Sequence, residues 1–93
     1  MNNKKIIYIS GPITGVKNYW LAFEKAEEQL SDYIVLSPSR LPMGMNNAQY
    51  MRIDLAQIDT ADVVYFLKGW ENSKGARLEH AYCEYIGKKV LYE

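Results

Sequence analysis

Hydrophobic and polar positions alternate along this chain in two rhythms. Four short runs, "KKIIYIS" (4–10), "YIVLS" (33–37), "ADVVYFL" (61–67) and "KKVLYE" (88–93), are apolar and rich in β-branched or aromatic residues. Each is bounded by Gly, Pro, Ser, Asn or Asp, as strands are. Between them the rhythm lengthens to that of a helix. In "NYWLAFEKAEEQL", Trp20, Phe23, Ala26, Glu27 and Leu30 recur at helical spacing, with Asn18 as a plausible cap. A second helix is predicted from about Ala48 to Thr60, and a third from about Ala76 to Ile86, stopped by Gly87. The order is βαβαβαβ. Strands separated by helices pair in parallel, with right-handed crossovers that put helices on both faces of the sheet. The expectation is one α/β domain over residues 1–93, with a four-stranded parallel sheet.

Ligands of open parallel sheets bind at the carboxyl ends of the strands, where strand order reverses. Three loops lie there: "SGPITG", "PSRLPMGMNN" and "KGWENSKG". In the first, Gly11 and Gly15 flank Pro12, Ile13 and Thr14 and permit close backbone approach. Its amides, with the hydroxyls of Ser10 and Thr14, can hold a phosphate or a sugar hydroxyl; the competing reading is a plain tight turn. The pattern is neither GxGxxG nor a phosphate loop ending in Gly-Lys-Ser/Thr.

The third helix carries the anomaly. Wound at about 100° per residue, "GARLEHAYCEYI" puts Gly75, Leu78, Tyr82, Cys83 and Ile86 on one face, and Arg77, His80, Glu84 and Lys88 on the other. Glu79 falls in the apolar stripe, about one turn in, behind Ser73 and Gly75. A carboxylate there is either paired, with Arg40, Arg52 or Arg77 as partners, or chemically useful. Asp54 on the second helix is a second acid at the same sheet edge, though by position alone it reads as solvated. Asp62 reads as orienting the start of the third strand. Two acids at one cleft suit glycosidic-bond chemistry: one attacks or stabilises the anomeric carbon, the other serves the leaving group.

Composition narrows the partners. The net charge is zero, with 24% charged residues and no Lys/Arg cluster, so neither a nucleic-acid polymer nor a membrane surface is expected. No apolar run approaches a membrane span, and the amino-terminal "MNNKKIIYIS" has no processing site for a signal peptide. The single cysteine, Cys83, rules out an internal disulfide and makes a cytoplasmic setting the default. No Cys/His/carboxylate spacing suggests a metal, and no cofactor is expected. A domain of this size gains from self-association, and a dimer or higher homo-oligomer is expected.

Taken together, "YISGPITG", "DLAQIDTADVV" and "SKGARLEHAY" resemble the nucleoside 2-deoxyribosyltransferase-like superfamily, nearly end to end. The similarity is closest to its short members common in phages and prophages. The resemblance implies a flavodoxin-like three-layer sandwich and breakage of a nucleoside or nucleotide N-glycosidic bond through a glycosyl-enzyme intermediate. By motif position it makes Glu79 the nucleophile and Asp54, eight residues before Asp62, the acid serving the leaving base. Ser73 stands six residues before Glu79, where nucleoside transferases carry an acid and the nucleoside-monophosphate hydrolases a serine. A hydroxyl at a helix amino terminus binds a phosphate that a carboxylate would repel. The substrate implied is a nucleoside or its 5′-monophosphate, with Ser10, Gly11, Pro12, Thr14, Gly15, Ser73 and Gly75 shaping its pocket. Those hydrolases also place an arginine in the first loop, where this chain has Pro12 and Thr14, so the phosphate's cation would be Arg40, Lys74 or Arg77. The alternative is a module that binds a nucleotide without turning it over. Of the aromatics, Trp70 is best placed to stack on a base, and Tyr50 is a second candidate. Tyr8 and Trp20 read as core, and His80 as surface.

Overall fold

A computed structural model describes residues 4–93. The first three residues of the amino-terminal segment lie outside the described part. The predicted order of elements is present: β1 (Ile6–Ser10), α1 (Tyr19–Gln29), β2 (Ile34–Leu36), α2 (Asn47–Thr60), β3 (Val63–Phe66), α3 (Lys74–Ile86) and β4 (Lys89–Tyr92). Single 3-10 turns at Pro38–Arg40 and Trp70–Asn72 lie in the second and third loops. The four strands form one parallel sheet in the order β2-β1-β3-β4. Strand order therefore reverses between β1 and β3, and the two loops that follow them lead to α1 and α3 on opposite faces.

The period of two along a strand decides what each face sees. Ile9 of β1 packs with Phe23 and Ala26 of α1 and with Leu67, and Val35 and Tyr65 lie against this layer. Tyr8 packs with Val64 and Phe66 of β3, Ile58 of α2 and Cys83 of α3 on the other face. Tyr8, in register with Leu36 on one side and Val64 on the other, sits in the centre of the sheet. Ser10 shares its parity and so points to the same face, toward α2 and α3. The result is a three-layer α/β sandwich of the flavodoxin type.

The helix ends are set by local chemistry. Asn46 and Gln49 form a reciprocal capping box at the start of α2. Ser73 caps α3, its hydroxyl accepting from the Ala76 amide at 3.2 Å. Gly87 closes α3 in the left-handed conformation. Asn18 does not cap as expected. It sits at positive φ with no side-chain hydrogen bond to the helix. Asp62 does orient its strand, accepting from the Ile6 amide at 2.7 Å.

Two helix faces are turned otherwise than the wheel implied. Leu78 and Ile86 are exposed, and the buried residues of α3 are Ala76, Glu79 and Cys83. The inward stripe of α3 is therefore narrow, with the small residues Ala76 and Cys83 on either side of Glu79. His80 is half-buried rather than on the surface. Its ring stacks on Trp70 at 4.1 Å, and Nε2 lies 2.7 Å from the Tyr92 hydroxyl. Trp20, read as core, is 47% exposed, and Tyr19 takes the contact with Phe23 instead.

Candidate active site

The three loops at the carboxyl edge of the sheet enclose a cavity of about 890 Å³. Gly11, Ile13 and Thr14 of the first loop line it, as do Pro38, Leu41, Met43 and Met45 of the second. Asn72, Ser73, Lys74 and Gly75 contribute from the third loop and the start of α3, and Tyr50, Met51 and Asp54 from α2. Glu79 forms part of the wall. The two acids meet at the edge of the sheet that the switch-point rule selects.

Glu79 is 4% exposed and pairs with no arginine. Its carboxyl instead accepts two hydroxyl hydrogen bonds across the sheet, from Ser10 at 2.7 Å and from Tyr8 at 3.1 Å, both at Oε1. Arg40 is engaged with Glu27, and Arg77 donates to the Glu71 carbonyl. Asp54 is not solvated. It is 7% exposed, and its Oδ1 is buried without a hydrogen-bond partner among the described residues.

Two carboxyls this deep cannot both ionise freely. Burial first, and then the neighbouring charge of Asp54, push the Glu79 carboxyl up to about 8, against the opposing hydrogen bonds from Ser10 and Tyr8. Burial also raises Asp54 above the ordinary carboxylate range. The Tyr8 phenol rises too, chiefly through burial and then the Glu79 charge, and it stays protonated as a donor. Burial and mutual repulsion thus favour a proton on the pair, and Glu79 is the member raised furthest.

The structure separates the sequence candidates. Gly11, Thr14, Ser73, Gly75, Asp54 and Glu79 converge on the cavity. Ser10 does not line it. The residue is fully buried, and its hydroxyl is spent on Glu79 rather than on a ligand. Pro12 lies behind the wall, close to Gly69, and Gly15 turns into open space at positive φ. Trp70 faces away from the cavity, toward Phe66, His80 and Tyr92, so it cannot stack on a base there. Tyr50 does line the cavity, and its hydroxyl ties down the second loop, donating to the Pro42 carbonyl at 2.6 Å and accepting from the Met45 amide at 3.3 Å. Of the three proposed cations only Lys74 lines the cavity. Sequence reasoning missed the pairing of Tyr8 and Ser10 with Glu79. The signal was there in their shared parity on β1.

Gly11 is required by packing. A Cβ at this position would come within 2.9 Å of two Leu67 side-chain atoms. The first loop therefore lies directly on the core, which fixes the cavity floor.

Residues 5–92 match the profile of the family described as "Domain of unknown function (DUF4406)". The chain belongs to this family. No curated protein matches it. Among solved structures, it is similar to a 2-desoxiribosyltransferase from Leishmania mexicana, with 20% identity and a TM-score of 0.75. The superposition covers 95% of this chain and 63% of that one. This DUF4406 domain thus shares the fold of that deoxyribosyltransferase and spans less than two thirds of its length. No described helix is long and apolar enough to cross a membrane, and no metal-ligating cluster occurs among the described residues.

Proposed function

We propose that this domain cleaves or transfers the N-glycosidic bond of a nucleoside or deoxynucleoside, or of its 5′-monophosphate. The observation that carries the reading is the buried carboxyl pair, Glu79 and Asp54, in the wall of a switch-point cavity. An oxygen of Glu79 attacks the anomeric carbon as the carbon–nitrogen bond breaks. That bond's electron pair stays on the base, and Asp54 supplies or guides the proton the base needs. The resulting glycosyl ester is opened by water in a hydrolase, or by a second base in a transferase. The reactive form has the proton on Asp54 and the charge on Glu79.

Pocket composition supports the substrate class. The wall formed by Leu41, Met43, Met45 and Met51 is apolar and adaptable, suited to a flat base. The opposite side presents the amino terminus of α3, Ser73 and Lys74, suited to a sugar hydroxyl or phosphate. Partnership with a second copy of the chain is part of the proposal. Tyr85 and Ile86 on α3 leave apolar surface exposed.

One observation favours a second reading. With its carboxyl raised to about 8, Glu79 is neutral in most molecules at pH 7. A neutral carboxyl holds a ligand by hydrogen bonds without attacking it, as a nucleotide-binding module would. Base release separates the two. Ribo- and deoxyribonucleosides and their 5′-monophosphates are incubated with the protein and with Glu79→Ala, with and without an acceptor base. Free base in the wild type, lost in the variant, is the expected result. No base from any substrate, together with ligand-induced stabilisation, would favour the binding module.

A further inference from the structure

We propose that Ser10 is a positioning residue: with Tyr8 it pins Oε1 of Glu79, so that Oε2 is the oxygen presented to the cavity and to the anomeric carbon. The inference rests on the reading of Glu79 as nucleophile and adds a division of labour between its two oxygens. Both hydroxyls donate to Oε1, at 2.7 and 3.1 Å, and neither reaches Oε2. Ser10 and Tyr8 come from one face of β1, the most enclosed strand, so their positions are set by the sheet. Ser10 is fully buried and does not border the cavity. No ligand can compete for its hydroxyl.

The consequence is geometric first. A glutamate side chain on a helix has three rotatable bonds, and attack on carbon requires one lone pair held on line. Two donors on one oxygen fix the carboxyl plane and leave the other oxygen to Asp54 and the cavity. The second consequence is electrostatic. Donors on the carboxylate favour its charged form, against the burial and the Asp54 charge that oppose it. The titratable groups around Glu79 are Tyr8 on β1, Asp54 on α2 and Cys83 one turn further along α3, and Lys74 at the start of α3 lines the same cavity.

The test uses the full chain and two variants, Ser10→Ala and Ser10→Cys, the second keeping a weaker donor. Glutamate labelled with ¹³C at the side-chain carboxyl reports each titration directly, and Glu79→Gln identifies the signal. This readout needs no substrate. The expected result is a Glu79 midpoint higher in Ser10→Ala than in the wild type, with Ser10→Cys between them. In base release, KM should stay within about twofold, while kcat at neutral pH falls roughly tenfold to a hundredfold. The gap should narrow as the pH rises and Glu79 ionises in the variant as well. An unchanged midpoint in both folded variants with no loss of kcat would overturn the proposal, whereas a loss of kcat equal at every pH would support the geometric pin alone. A shifted midpoint in a protein that releases no base would support the pinning of Oε1 and count against the enzyme reading alone.

Discussion

Replacing Glu79 by Gln should make the domain more stable in alkali while destroying its chemistry. The rise of the Glu79 carboxyl from an ordinary 4.5 to about 8 means that the folded state holds a proton which the unfolded chain has released. The sign follows from linkage: between these values the native state binds more protons, so stability falls as the pH rises. The contribution is fully present below pH 4.5 and has been lost once the pH passes 8. At about 1.4 kcal/mol for each pH unit the full loss approaches 5 kcal/mol, and local relaxation reduces it to roughly 3–5 kcal/mol. Gln removes this loss. Its carbonyl can still accept from Ser10 and Tyr8, and its amide can donate toward Asp54. Urea unfolding followed by the fluorescence of Trp20 and Trp70, at intervals from pH 4.5 to 9, gives both stability curves. The variant should gain on the wild type progressively and exceed it by about 3–5 kcal/mol at pH 9. Curves that stay parallel across the range would refute the reasoning, because Glu79 would then titrate as an ordinary carboxyl.

Three further outcomes follow from the packing around the cavity. Gly11→Ala forces a methyl group to within 2.9 Å of Leu67, and should cost about 1–3 kcal/mol in chemical denaturation. Tyr50→Phe frees both the Pro42 carbonyl and the Met45 amide. It should cost about 1 kcal/mol and speed proteolytic nicking between residues 41 and 46; an unchanged cleavage rate would show that the tether is redundant. Lys74→Ala should raise KM for 5′-monophosphates by roughly three- to tenfold and leave nucleosides unaffected. Equal effects on both would place the phosphate elsewhere.

The alternation of strand and helix was legible because each element's period is carried by several residues. "KKIIYIS" and "ADVVYFL" read as buried strands, and Gly87 marked the end of α3. Glu79 was legible as an anomaly because one charge stood in an otherwise apolar stripe. Asp54 was not, since the neighbours on its helix are mixed, and only the placement of α2 against β1 buries it. The rotation of α3 was also hidden. A helical wheel fixes angles between residues, whereas the sheet decides which of them face inward. The small residues Ala76 and Cys83 won over Leu78 and Ile86. Trp70 could turn either way from its loop, and the neighbouring aromatics Phe66, His80 and Tyr92 drew it from the cavity. Ser10 looked like a ligand contact because it stands next to Gly11. The strand's parity turns it inward instead, where Glu79 is its partner.

The most direct test of the central claim is to look for the ester on Glu79. Protein turning over a 2-deoxy-2-fluoro nucleoside or its 5′-monophosphate, whose fluorine slows breakdown of the intermediate, is quenched in acid, digested and mapped by mass spectrometry. The account predicts the added mass of the sugar, or sugar phosphate, on the peptide containing Glu79, and none in Glu79→Gln. An adduct on another residue, or base release by Glu79→Gln at the wild-type rate, would contradict it.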